Sequence, residues 1–149
     1  MNLKASFILV KGVIEGMKAQ KWGRIIFMSS IAAYGGGING CRKLPPIIPK
    51  SVSHLFIDYA ASKGGLTGMM KNLASKLAPL NISVNDVAPA LIGETGMIPN
   101  SDVIPGGASS IPLGRLGTTQ EVSNVVTMLA TTGFMTGQSL LIAGGLKTH

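Results

Sequence analysis

Cysteine, histidine, aromatic side chains and acidic groups are all scarce in this 149-residue chain, and each scarcity removes a class of function. A single cysteine, Cys41, rules out an internal disulfide and suits a reducing compartment. The two histidines, His54 and His149, stand 95 residues apart and offer no clustered ligand set, so no metal centre is expected. Aromatics make up only 5% of the residues and are not interleaved with basic ones, which argues against a single-strand nucleic-acid binder. Six acidic against thirteen basic residues leave a net charge of +7, but the basic residues are dispersed. Lys4, Lys11 and Lys18 recur every seven residues and read as one solvated helix face, not a nucleic-acid patch. No apolar run is long enough to span a bilayer, and the N-terminus lacks the charged, apolar, small-residue order of a signal peptide. A cytoplasmic chain without nucleic-acid or membrane partners is expected.

What is abundant is apolar content, 46% of residues, enough to furnish the core of one domain. Leu3, Phe7, Val10, Ile14 and Met17 form an amphipathic helical stripe that begins almost at residue one and closes at Gly23. Arg24 to Ser29 is a nearly continuous apolar run, as in a parallel strand buried on both faces. A second helix is expected from about Tyr59 to Leu77, ending near Pro79, and a second strand from Ile82 to Ala88. Residues 90–117, rich in Gly and Pro, read as a long loop of the kind that carries ligand contacts. Thr118-Thr-Gln-Glu121 has capping-box spacing ahead of Val122, Val125, Val126 and Leu129, and Ser139 to Ala143 supplies a last strand. This alternation of helix and strand predicts an α/β parallel sheet.

Tyr59-Ala-Ala-Ser-Lys63 puts a phenol and an ammonium one helical turn apart on one face. A cation beside the ring favours the phenolate, so the tyrosine can exchange a proton with a substrate oxygen. Alone, the pair is common on helix surfaces. Its neighbour Ser29-Ser30 lies at the carboxyl end of the preceding strand, where parallel sheets hold their ligand crevices, and offers a hydroxyl to the same oxygen.

Asn2-Leu, Gly23-Arg-Ile-Ile, Ser29-Ser30, Tyr59-x-x-x-Lys63, Ser83-Val-Asn85 and Ala88-Pro89 occur in an order that resembles the short-chain dehydrogenase/reductase superfamily. Ile111-Pro-Leu-Gly-Arg-Leu-Gly, Glu121-Val, Thr136-Gly-Gln and Gly144-Gly145 extend the resemblance over nearly the whole chain, as the C-terminal part of a 3-oxoacyl-[acyl-carrier-protein] reductase-like member. The resemblance implies a partial Rossmann-type, doubly wound parallel sheet, namely the last three strands and their helices. It implies an NAD(P)-dependent oxidoreductase, NADP(H) ahead of NAD, acting on a small-molecule carbonyl or alcohol. By position, Ser30 resembles the serine that orients the substrate carbonyl, and Tyr59 the proton donor or acceptor. Lys63 resembles the lysine that binds the nicotinamide ribose and tunes the tyrosine, and Asn2 the asparagine that anchors its water-linked relay. Pro89, Ile92 and Thr95 fall where the family holds the nicotinamide end of the cofactor, although the usual Pro-Gly reads Pro89-Ala90 and Gly93 shifts Thr95 by one place. The first two helices resemble those that build the family's helical-bundle dimer, so a homo-oligomer is expected. A catalytically silent chain serving as an oligomerisation subunit, or a gene-model remnant, is the alternative.

The family's opening Thr-Gly-x-x-x-Gly-x-Gly turn and its Asn-Asn-Ala-Gly are missing from the 149 residues, so a start truncated at an internal methionine is expected. Gly35-Gly-Gly37-Ile-Asn-Gly40 spells a dinucleotide fingerprint, but Pro45, Pro46 and Pro49 deny it the helix that must follow at once. Ser30 and Tyr59 stand 29 apart, and removing residues 42–57 leaves the 13 common in the family. That stretch is expected to be a translated intron, since its ends permit a GTAAG donor and a TAG acceptor, or a substrate-loop insertion.

Overall fold

The computed structural model describes residues 2–35, 50–104 and 106–146, with side chains in the second segment from Asp58 onward. Helix α1 (Asn2–Gln20) leads into strand β1 (Gly23–Met28), and a single turn, α2 (Ala32–Gly35), follows. Helix α3 (Lys50–Leu77) leads to β2 (Ile82–Pro89), then α4 (Thr119–Thr131) and β3 (Ser139–Ile142) complete the order. The three strands are parallel and lie in the order β1-β2-β3, with Met28 opposite Val87 and Asp86 opposite Ser139. The α/β reading and its strand positions therefore hold, within a residue or two at each end.

One face of the sheet carries the main core. Val10 of α1, Leu66, Met70, Ala74 and Leu77 of α3, Ile25 and Phe27 of β1, and Ile82 and Val84 of β2 pack as one buried cluster. Met70 and Val84 are wholly excluded from water, each contributing roughly 1.5–3 kcal/mol of transfer free energy. Gly23 lets α1 pack close at the start of β1: a Cβ there would lie 2.7 Å from the Met17 sulfur, and that side chain would have to shift. On the opposite face α4 is entered through Thr118, whose hydroxyl accepts from the Glu121 backbone N–H while the Glu121 carboxylate accepts from the Thr118 N–H. That is the capping box its spacing announced.

Three details differ from expectation. Helix α3 starts nine residues before Tyr59, because no Gly or Pro interrupts the chain between Lys50 and Lys63. Of the suspected insertion, residues 42–49 lie outside the described residues and 50–57 belong to this helix; Gly36 to Gly40 of the fingerprint also lie outside them. Turn α2 is too short to carry a periodic signal. The α1 stripe is buried only from Val10 onward; Leu3 and Phe7 are exposed, as are Ile8, Leu9 and Val13. Among the described residues no helix is long and apolar enough to cross a membrane, and none group as a metal site.

β2 also buries two adjacent polar side chains. The amide of Asn85 donates to the Met135 carbonyl at 2.8 Å and accepts from the Gln138 N–H at 3.0 Å. With Gly137 N–H on the Val84 carbonyl, it clasps the turn ahead of β3. Asp86, on the face of Phe27, is fully buried and neither carboxylate oxygen has a partner among the described residues. The Ser139 hydroxyl, level with it on β3, is likewise unpartnered.

Candidate active site

The chemistry-bearing residues converge at the carboxyl ends of the strands, the expected position for a ligand crevice in a parallel sheet. On α3, Tyr59 and Lys63 stack as their spacing requires, with the Lys63 ammonium 5.5 Å from the Tyr59 ring centre. The ammonium donates to the Met28 carbonyl at the end of β1 across 2.6 Å. Burial pushes the Lys63 pKa below the usual lysine value by disfavouring the charged form.

Ser29 and Ser30 diverge. The Ser29 hydroxyl, buried, donates to the Lys63 carbonyl at 3.2 Å and lies 3.3 Å from the Thr67 hydroxyl, pinning β1 to α3 at the height of the lysine. The Ser30 hydroxyl instead accepts from Ala32 N–H at 3.2 Å, starting α2, and reaches the Pro89 carbonyl at 3.5 Å. Asn2 donates from its amide to the Ser62 hydroxyl at 3.2 Å, and Ser62 donates to the Tyr59 carbonyl at 2.7 Å. The start of α1 is thereby tied to the Tyr59–Lys63 turn.

Pro89, Ile92 and Thr95 line a groove of about 460 Å³ together with Met28 and the α4 residues Thr119, Val122, Ser123 and Val126. Tyr59, Lys63 and Ser30 do not line it. Met28 joins the two clusters, its carbonyl holding Lys63 and its side chain bordering the groove. The Thr95 hydroxyl is committed within its own loop, donating to the Ile92 carbonyl and accepting from Ile98 N–H. Ala90 adopts no positive φ, so alanine is tolerated in place of glycine. Glu94, between Ile92 and Thr95 in sequence, is a non-glycine residue with φ of 55°.

The loop is clamped from below. Gly93 N–H donates to the Gly117 carbonyl and Gly117 N–H to the Leu91 carbonyl, pairing the two ends of the 90–117 stretch. Arg115 then grips Glu121 with two bonds of 3.0 and 2.7 Å. The Arg115 hydrogen bonds first, and the Thr118 N–H second, hold the Glu121 carboxyl down at about 2. Sequence reasoning missed Ser62, Thr67 and the Met28 carbonyl. Thr67 was findable, one turn beyond Lys63 on the same face; a backbone acceptor leaves no mark in a sequence.

Residues 50–147 match the family described as enoyl-(acyl carrier protein) reductase. The chain belongs to the short-chain dehydrogenase/reductase superfamily. It is 33% identical over 150 residues to the 3-oxoacyl-[acyl-carrier-protein] reductase FabG of Aquifex aeolicus, which covers 98% of this chain and 54% of the relative. The corresponding Escherichia coli enzyme is 36% identical over 149 residues, 97% of this chain and 54% of that one. A crystal structure of a 3-oxoacyl-[acyl-carrier protein] reductase with bound NAD from Brucella melitensis superimposes with a TM-score of 0.74 at 32% identity, over 97% of this chain and 48% of that one. The chain thus spans about half the length of the curated relatives it matches.

Proposed function

We propose that this chain carries the catalytic face of an NAD(P)-dependent oxidoreductase that interconverts a carbonyl and an alcohol, with Tyr59 as general acid and base. The observation that supports this most is the Tyr59–Lys63 stack at the strand ends, beside Ser29-Ser30, in a superfamily member. When bound, the nicotinamide supplies hydride. Tyr59 gives its phenolic proton to the substrate oxygen as the carbonyl carbon is reduced, and takes it back in alcohol oxidation. Ser30 orients that oxygen once its hydroxyl turns from the Pro89 carbonyl. Lys63 keeps the phenolate stabilised and holds the ribose, while Asn2 steadies the turn through Ser62. The groove formed by Pro89, Ile92 and Thr95, bordered by Met28, is assigned to the nicotinamide end of the cofactor. The relatives' names point to a 3-oxoacyl thioester as first substrate, with NADPH tested ahead of NADH. Reduction of such a thioester, followed by loss of reduced-nicotinamide absorbance, should be abolished in Tyr59→Phe; full turnover in that variant would refute the assignment.

A second reading, an oligomerisation subunit, is favoured by the exposed Phe7, Ile8, Leu9 and Val13 on α1. Beside them a groove of about 670 Å³ runs between α1 and α3, lined by Leu3, Phe7, Ala61, Gly65 and Met69. Both readings use a homo-oligomer built on these two helices, which sedimentation of wild type and Phe7→Glu will test. We further propose that residues 42–57 are a translated intron; a mature transcript that retains those 16 codons would instead establish a loop insertion.

A further inference from the structure

Along the face of α3 that meets the sheet, Leu66, Met70, Ala74 and Leu77 are apolar, and Thr67 interrupts them. Thr67 is buried against Ser29, the residue that follows β1, with the two hydroxyl oxygens 3.3 Å apart. The Ser29 proton goes to the Lys63 carbonyl at 3.2 Å. A hydroxyl has one proton to give, so Thr67 is the donor across the 3.3 Å contact; its other acceptor, the same Lys63 carbonyl, is farther away at 3.5 Å.

Valine has the shape of threonine and would bury here with no polar group to satisfy, so the hydroxyl carries a desolvation cost that its bond to Ser29 offsets. What the bond adds is direction. Apolar burial is non-directional, whereas a hydroxyl pair selects one height of α3 against β1. Lys63 is referenced to that strand at both ends, its carbonyl to Ser29 and its ammonium to the Met28 carbonyl one residue earlier. Tyr59, Lys63 and Thr67 follow at four-residue steps, so whatever fixes Thr67 fixes the pair on the two turns before it. A slip of one residue along a helix is roughly 1.5 Å, and a misplacement of about 1 Å at a reacting group can cost about 10²-fold in rate.

We propose that Ser29 and Thr67 are positioning residues: their buried hydroxyls lock α3 to the end of β1 and so set the height of Lys63, and through it the lysine's contact with the cofactor. The cofactor half of this statement rests on the role given to Lys63 above; the locking of the lysine does not. Ser29 carries the larger share, because it alone bridges strand and helix, and Thr67 holds the Ser29 oxygen in place.

The test follows Lys63 in the full chain, without cofactor, through the Cε resonances of carbon-labelled lysines as pH is raised. Burial holds the Lys63 midpoint below the usual lysine value, and an ammonium released to water returns to it. Ser29→Ala should bring the midpoint up to the usual value and Thr67→Val part of the way, while Thr67→Ser, which keeps the hydroxyl, should leave it as in wild type. Lys71 and Lys76, on the same helix, should titrate alike in all four proteins. Because Tyr59 is stacked on the ammonium and also titrates, the series is repeated on Tyr59→Phe, where the same shifts should appear. An unmoved Lys63 in folded Ser29→Ala overturns the proposal, and so does a Thr67→Ser that behaves as Thr67→Val; should Ser29→Ala not fold, the two Thr67 variants decide. NADPH titration then reads the cofactor half: Ser29→Ala should weaken binding several-fold in the wild-type background and leave it unchanged in Lys63→Ala. Equal weakening in both backgrounds would overturn action through the lysine. A shifted Lys63 with no NADPH binding in any of these proteins would count against the proposed cofactor role and leave the positioning intact.

Discussion

Residues 2–89 and residues 90–146 both supply the top of the sheet, but they hold their functional side chains in different ways. In the first region Tyr59, Lys63 and Ser29 sit on a helix and a strand end whose other faces are buried in the main core. Their placement follows from the helical repeat and from where β1 stops. In the second, Ile92 and Thr95 sit on a loop whose shape is set by bonds to itself and by the Arg115–Glu121–Thr118 clamp. On the reading proposed above, a site assembled from both is rigid on the side assigned to proton transfer and adjustable on the side assigned to the cofactor.

The contrast can be broken most sharply by exchanging hydroxyl loss between the two regions. Tyr59→Phe should lower carbonyl reduction by about 10²–10⁴-fold, whereas Thr95→Val should change it far less, because the Thr95 hydroxyl already serves its own loop; steady-state rates decide. Next in size is packing. Met70→Ala under the Tyr59–Lys63 helix should cost about 2–5 kcal/mol in denaturant unfolding. Thr118→Ala, at the entry to α4, should cost only about 1 kcal/mol.

The two buried neighbours on β2 sharpen the point within one strand. Asn85→Ala strands the Met135 carbonyl and the Gln138 N–H and should cost about 1–3 kcal/mol. Asp86→Ala removes a buried carboxylate that has no partner among the described residues and should leave the protein as stable or more so, by thermal unfolding. The smallest effect is the clamp's pH dependence. Glu121 is near 2 in the folded chain against 4.5 unfolded, so its contribution is complete above about 4.5 and is lost as pH falls toward 2. Carboxyl NMR of Glu121 should track that window, and Glu121→Gln should remove the stability slope across it.

The contrast also explains what could be read without coordinates. Tyr59 and Lys63 were legible because a four-residue spacing on a helix fixes a contact, and the α4 cap because Thr118 and Glu121 carry it in their side chains. The opposite turns of Ser29 and Ser30 were not legible, since a strand end lets adjacent hydroxyls face different elements. Nor was the Lys63 bond to Met28, whose acceptor is a backbone atom shared by every residue type. Nor was the left-handed backbone at Glu94, which a non-glycine residue does not announce.

The central claim is that Lys63 and Tyr59 form the working end of a nicotinamide-dependent site. Titration of NADPH into the chain, read by nucleotide fluorescence alongside Lys63→Ala, tests it most directly. Saturable binding that weakens at least tenfold in the variant is the predicted result; binding that is absent, or equal in the two proteins, would contradict it.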